Sequence, residues 1–208
     1  MTKVTQKKQY KADGILFDSY EEIHFYHWLQ EARSAGMISA YSYHPRSFEL
    51  APPASVYVKK QLATKNKIVQ KTLLQKVSYT PDFLLVATPM LQRVDHQLFS
   101  HNQSYWIDVK GTFGPYNDDA KFSVIRKWVW DKYGIFINKV VPLKFFEKTW
   151  VPRRAARTKT GKQSARYIHC KKIWDIPEAP QYPVPEVVPP PETKQDDLFQ
   201  PESSGWSF

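Results

Sequence analysis

Seven prolines crowd the fifteen residues from Pro177 to Pro191, and they fix where a folded body can end. Proline has no backbone N–H and a locked φ, so PEAPQYPVPEVVPPPE can enter neither a helix interior nor an inner strand. The stretch predicts a semi-rigid polyproline-II spacer and a short disordered end, with the folded part stopping near Asp175. Charge changes sign at the same place. Residues 177–208 hold six acids and one base, leaving 29 bases against 14 acids in the first 176 residues. The whole-chain value of +10 is thus a core at +15 joined to a tail at −5. A core of that charge is expected to meet a polyanion, nucleic acid before membrane. Its single cysteine, Cys170, excludes a disulfide framework or a thiolate zinc cage and fits a reducing compartment. There is no apolar run of the ~20 residues a membrane span requires, and MTKVTQKKQYK lacks the apolar stretch of a secretory signal. The expectation is a soluble, cytoplasmic protein without a membrane partner.

Two stretches of the basic portion contain no acid. Leu50 to Pro81 carries Lys59, Lys60, Lys65, Lys67, Lys71 and Lys76. Lys148 to Trp174 carries Arg153, Arg154, Arg157, Lys159, Lys162, Arg166, Lys171 and Lys172. One such run is most simply a solvated face, but two in one small domain point to phosphate contact. The chain divides into a core over 1–147, a basic arm over 148–176 packed on or near it, and the acidic tail over 177–208.

Along the core, Asp18 or Ser19 is a suitable N-cap, with Glu21 and Glu22 in the first turn where the helix dipole favours acids. The helix runs through IHFYHWLQEARSA and stops at Gly36. Extended segments follow around Ser47–Leu50, Val56–Val58 and Ile68–Leu74. Tyr79–Ala87 and Tyr105–Gly111 read as two buried strands, with Thr88–Gln103 a long connection or hairpin excursion between them. Asn117 or Asp118 caps a second helix through AKFSVIRKWVWDKY, with Phe122, Ile125, Val129 and Tyr133 on its apolar stripe. Trp128 and Trp130 cannot both face inward there. Gly134 ends the helix and IFINKVV is a further strand. The order predicts a mixed α/β domain.

The chemistry-bearing residues sit inside these elements. With a strand period of two, Trp106, Asp108 and Lys110 share one face while Ile107 and Val109 take the other. Asp82 lies in an apolar strand, where a carboxylate is costly to bury unless paired or bound to metal. Two carboxylates on neighbouring strands can hold Mg²⁺, a hard ion that prefers oxygen ligands. Glu22 has Phe25, Tyr26 and Leu29 at i+3, i+4 and i+7, so it belongs to the inward stripe; Glu21 looks more exposed. Plainer roles are open to each: Asp82 ending a strand, Asp108 with Lys110 as a surface pair, Glu22 serving only the helix dipole. The set reads better together, as a site where an ion and a lysine activate water against a phosphodiester.

Pro81-Asp82, Asp108-Val109-Lys110 and Glu22 on a leading helix resemble the PD-(D/E)xK nuclease superfamily. Asp13-Gly14-Ile15-Leu16-Phe17-Asp18-Ser19-Tyr20-Glu21-Glu22, with Gly36-Met37-Ile38 and His44-Pro45-Arg46-Ser47-Phe48-Glu49-Leu50, resembles a group of small phage-encoded nucleases related to Holliday-junction resolvases. The resemblance covers about Lys11 to Val141. It implies a restriction-endonuclease-like core, a central mixed β-sheet flanked by helices. It further implies Mg²⁺, with Mn²⁺ as substitute, at Asp82, Asp108, the Val109 carbonyl and Glu22, with Lys110 positioning the water. Lys121 is a phosphate contact on that analogy, and Arg126, Lys127, Arg153, Arg154, Arg157, Lys159 and Lys162 are further candidates for DNA contact. A structure-specific endonuclease of recombination, repair or DNA processing follows, acting as a homodimer if it resolves junctions. The alternative is a non-catalytic DNA-binding or virion-associated protein that kept the fold.

Other chemistry is weaker. The six histidines do not cluster with cysteine at zinc spacing, so core or surface roles are expected for them. There is no Gly-rich phosphate loop. In the tail, Gln195-Asp196-Asp197-Leu198-Phe199 resembles the peptide by which bacterial replication proteins bind the sliding clamp, Leu198 and Phe199 being the apolar anchor and Gln195 the hydrogen-bonding end. An acidic tail with a stray Leu-Phe, or one lying across the basic core, is the plainer account.

Overall fold

The chain enters on a hairpin whose turn is written in the sequence. Strands β1 (Tyr10–Ala12) and β2 (Ile15–Phe17) pair antiparallel with Ala12 opposite Ile15, which leaves Asp13 and Gly14 as a two-residue loop. Both have positive φ, +47° and +84°, as a type I′ turn requires and as Asp-Gly readily adopts. The structure, a computed structural model, describes residues 9–61, 65–94, 98, 103–111, 116–158 and 160–175.

Helix α1 (Tyr20–Ser34) follows, and Ser19 is its cap: its Oγ accepts from the Glu22 N–H at 3.1 Å. The helix ends in a Schellman motif, with Gly36 at φ +70°, its N–H bonded to the Arg33 carbonyl and the Met37 N–H to the Ala32 carbonyl. Phe25, Trp28, Leu29 and Ala32, spaced as one helical stripe, are fully buried. Each large side chain so buried is worth roughly 1.5–3 kcal/mol.

Four strands make the central sheet: β3 (Ile38–Tyr43), β8 (Phe83–Ala87), β9 (Ser104–Val109) and β10 (Ile137–Val140), in the order β10-β9-β8-β3. The β10–β9 pair is parallel and the other two are antiparallel, so the sheet is mixed. Helix α3 (Tyr116–Tyr133) links the parallel pair. Alternation along β8 and β9 sorts their side chains cleanly. Phe83, Leu85, Tyr105 and Ile107 pack with α1, whereas Leu84 and Trp106 pack with Phe122 and Val129 of α3 and with Phe48 and Leu50. The expected period-two faces and the α3 stripe are both present.

Several expectations need correction. Tyr79–Ala87 is not one strand. Strand β7 (Val77–Tyr79) pairs with β4 (Phe48–Ala51), and the chain then breaks at Thr80-Pro81-Asp82 before β8 joins the central sheet. Pro81 has no N–H to give a ladder, so the change of partner falls there. Asp82 is therefore at the head of β8, not inside a strand. Strand β9 ends at Val109, although the Lys110 N–H still bonds to the Val140 carbonyl at 2.8 Å. Helix α3 already contains Asn117 and Asp118, so neither is its cap. Trp128 and Trp130 do not both face inward, as expected; both are in fact exposed, since Phe122 and Val129 fill the inward stripe. The Thr88–Gln103 connection carries a short helix, α2 (Pro89–Val94), and another unforeseen one, α4 (Pro142–Lys148), follows β10 with proline in its first turn.

The Lys-rich segment is a ribbon. Strands β5 (Ala54–Gln61) and β6 (Asn66–Leu74) pair antiparallel with each other alone among the described residues, and nearly all of their side chains are exposed. The segment after α4 behaves differently. Trp150, Val151, Ala155, Ala156, Tyr167 and Cys170 belong to the same apolar cluster as α1. Trp150 stacks on Trp28 at 4.7 Å and gives its indole N–H to Glu31 at 3.1 Å. Arg154 forms a two-point ion pair with Asp13 of the first turn, and Arg166 pairs with Glu21.

His24, half-buried, bonds to the Tyr167 hydroxyl through Nδ1, and His27, buried, meets Gln30. Both keep core roles, as expected. Burial first, and then the nearby Arg166 and Arg154, pull their pKa values from 6.5 down to about 4. A histidine with a depressed folded pKa adds stability that is complete above 6.5 and is lost as pH falls toward 4. The melting temperature is expected to drop by roughly 5 °C across that window. The pair His24→Gln and His27→Gln should flatten the drop; an unchanged slope in scanning calorimetry would place the acid sensitivity elsewhere.

Candidate active site

The register between β8 and β9 brings the acids together. Phe83 lies opposite Ile107 and Leu84 opposite Trp106. One more step sets Asp82 opposite Asp108, where facing Cβ atoms of an antiparallel pair stand ~5 Å apart. The Val109 N–H locks this arrangement by donating to Asp82 Oδ2 at 2.6 Å.

Asp108 is 3% exposed. Its Oδ1 accepts from the Tyr79 hydroxyl at 2.8 Å. Its Oδ2 lies 2.6 Å from Lys110 Nζ as an ion pair, yet it makes no hydrogen bond of proper geometry. It is the one buried carboxylate oxygen among the described residues in that condition, and such an oxygen has lone pairs to give to a cation. The Lys110 ammonium also lies over the Phe122 ring, 5.6 Å from its centre, which fixes it at the end of β9.

Helix α1 delivers Glu22. Its carboxylate accepts from the Asp18 N–H (3.1 Å), the Ser19 hydroxyl (2.7 Å) and the Tyr43 hydroxyl (2.8 Å). The Ser19–Glu22 pair is a capping box, so this acid is inward partly because the helix start needs it. His44 completes the cluster. It sits just past β3 with φ +47°, stacks on Tyr43 at 3.9 Å, and gives its N–H to the Asp82 carbonyl at 2.8 Å. One ligand atom from each of Glu22, His44 and Asp82 lies within 4.8 Å of the others.

Electrostatics follow from the crowding. Burial, then the carboxylates of Asp108 and Glu22, raise the Asp82 pKa well above the ordinary aspartate value; the Val109 N–H and Lys110 pull against them and lose. Burial and the neighbouring carboxylates likewise raise Tyr79, beside Asp108, and Tyr43, beside Glu22. Glu22 and Asp82 beside His44, with Asp108 close enough to raise the Asp82 pKa, form a pocket of negative potential that a divalent cation fits. The carboxylates suit Mg²⁺ and Mn²⁺ alike, and an imidazole at the edge is better tolerated by Mn²⁺ than by Mg²⁺.

Glu22, Asp82, Asp108 and Lys110 are thus brought together, with Val109 contributing its N–H. His44, Tyr43 and Tyr79 were not foreseen as site residues. Of the candidate DNA contacts, Lys121 and Lys127 are exposed on α3, and Arg126 lies over the rings of Phe122 and Phe136. Arg153, Arg154, Arg157 and Lys162 are exposed on the segment after α4, away from the acids in sequence and with Arg154 held by Asp13. Lys159, Gln195, Leu198 and Phe199 lie outside the described residues.

No family model, curated protein or solved structure matches this chain.

Relieving the crowding should stabilise the metal-free protein. In EDTA at neutral pH, Asp82→Asn is expected to melt higher than wild type by roughly 2–4 °C. Added Mn²⁺ should raise the wild-type melting temperature and leave Asp82→Asn unmoved; equal shifts in both would mean that the ion binds elsewhere.

Proposed function

We propose that the protein is a metal-dependent DNA endonuclease that hydrolyses phosphodiester bonds. The observation that carries this reading is the clustering of Glu22, His44 and Asp82 within ligand distance of one another, with Asp108 set opposite Asp82 by the β8–β9 register and ion-paired to Lys110. Asp82, Asp108 and Glu22 would hold Mg²⁺ or Mn²⁺, with His44 at the edge. A bound ion of this kind lowers the pKa of water and offsets the charge that develops on phosphate. Lys110 holds the attacking water in line with phosphorus through an ammonium donor. His44, half-exposed beside Asp82, is placed to receive the proton that the water releases. One P–O bond forms as the other breaks, and the departing oxygen takes its proton from solvent.

The partner follows from charge. The β5–β6 ribbon presents Lys59, Lys60, Lys65, Lys67 and Lys71 from an acid-free segment and is about 26 Å long. A two-stranded ribbon of that size can enter a major groove, and it leads back through β7 to Tyr79, the residue that holds Asp108. The resemblance in sequence extends the proposal to a restriction-endonuclease-like core. It also suggests a phage-encoded enzyme of recombination, repair or DNA processing, preferring branched substrates in the host cytoplasm, with the tail binding a sliding clamp. The rival, a non-catalytic DNA-binding protein, draws on Glu22, two of whose three accepted hydrogen bonds, from the Asp18 N–H and the Ser19 hydroxyl, are those of a helix cap.

Nicking of a supercoiled plasmid, a flap and a four-way junction decides between the two. Cleavage is expected with Mg²⁺ or Mn²⁺, none in EDTA, and a loss of about 10²–10³-fold in Lys110→Ala and in Asp108→Asn. Wild type and both variants behaving alike on every substrate would sink the enzymatic reading.

A further inference from the structure

We infer that the segment after α4 carries a second, non-catalytic site: a cleft that takes one nucleotide unit of a single strand, its phosphate at Lys172, Arg153 and Arg157 and its base on Trp174. The inference rests on the nucleic-acid partner proposed above, but it shares no residue with the carboxylate site.

The cleft has a volume of about 610 Å³ and is lined by Arg153, Arg154, Arg157, Lys172 and Trp174, with no acidic side chain among its lining residues. That volume suits a mononucleotide. Its four cations differ in what they are already bound to. Arg154 is neutralised by the two-point pair with Asp13. Arg157 makes no ion pair among the described residues. The Arg153 guanidinium lies 4.8 Å from the centre of the Trp174 ring. Lys172 is the most telling, because its Nζ is buried and has no hydrogen-bond acceptor among the described residues. Glu31 interacts with it electrostatically, but the Glu31 oxygens already accept from the Trp150 indole and the Arg153 N–H.

A buried ammonium with no acceptor is costly to a fold unless something arrives to satisfy it. A phosphate oxygen is such a group, since it brings both an acceptor and the opposite charge. Trp174 then narrows the ligand. It is 52% exposed although it is an indole, and Arg153 covers only part of it. An open aromatic face beside a phosphate site matches the way unpaired bases are held, by stacking with the backbone tracked by cations. Duplex bases are stacked on one another and cannot reach it, so a single-stranded end or an opened strand is the occupant.

The test is binding of the full-length protein to labelled oligothymidylate in EDTA, read by fluorescence anisotropy, with an abasic strand of equal length as the comparison. Lys172→Met is expected to weaken binding about tenfold and at the same time to raise the melting temperature, because it removes an unsatisfied buried charge. Trp174→Ala is expected to weaken the base-bearing strand about tenfold and leave the abasic strand unchanged. The inference is overturned if Lys172→Met binds as wild type or melts lower, or if Trp174→Ala affects both strands equally. A protein that binds the oligonucleotide in this pattern and never nicks DNA fails the nuclease reading and keeps the cleft. One that nicks DNA but whose two variants bind as wild type loses the cleft alone.

Discussion

The pairing of β8 with β9 sets both the core and the chemistry. Phe83 opposite Ile107 and Leu84 opposite Trp106 send alternate side chains to α1 and to α3, and the same register aligns Asp82 with Asp108. A slip by one residue would expose Ile107 and bury polar groups in its place, so the apolar faces enforce the register. The two acids inherit that enforcement. They can be held close despite mutual repulsion because separating them would cost the sheet its packing. The Val109 N–H, bonded to Asp82 instead of to a ladder partner, is where the sheet's own hydrogen bonding gives way to the site.

Glu22 shows a second economy of the same kind. Helix starts leave backbone N–H groups without partners, and a Ser-x-x-Glu capping box answers that need. Here the glutamate of the box is also aimed at Tyr43 and Asp82, because α1 packs its Phe25–Trp28–Leu29 stripe on the strands that carry them. Capping alone does not explain why the acid lies within ligand distance of His44 and Asp82. Capping does explain why it is rigid, and rigidity is what a metal-binding carboxylate requires.

Much of this was legible in the sequence, and the reasons are particular. The α1 cap and its Gly36 stop, the alternation through Trp106-Ile107-Asp108-Val109 and the α3 stripe are local patterns whose period decides their geometry. Asp108 was legible as a buried acid in an apolar strand, whereas Asp82 lies half-buried at the head of β8 rather than inside it. What could not be read was pairing. Nothing local says that β7 joins β4 while β8 joins β3, and the only hint was Pro81, which marks the break. His44 was missed for the same reason: it reaches the site through the β3–β8 pairing, and its neighbours Tyr43 and Pro45 carry no metal-binding signature. Tyr79 was hidden likewise, since its contact with Asp108 spans 29 residues.

The two acid-free runs looked alike as charge and fold quite differently, and aromatic content separates them. In 148–174 the bases are interrupted by Trp150, Tyr167 and Cys170, spaced to fall back on α1, and the acids they lack are supplied by that helix and the first turn as Glu31, Glu21 and Asp13. Arg154 and Arg166 are thus positioned by ion pairs with Asp13 and Glu21, whereas Arg153, Arg157 and Lys172 form no side-chain ion pair among the described residues and remain to act on a ligand. In 54–74 the large apolar residues are Val, Ile, Leu and a single Tyr in a ribbon too narrow to bury them, so Tyr57, Ile68 and Leu73 stay more than 70% exposed. A two-stranded ribbon is marginal on its own in water. The base of this one is secured by α3, where Lys132 and Tyr133 bond to the carbonyls of Glu49 and Leu50. Beyond that anchor the lysines repel one another along the ribbon, and a polyanion laid against it would remove that repulsion and cover the apolar side chains in one step.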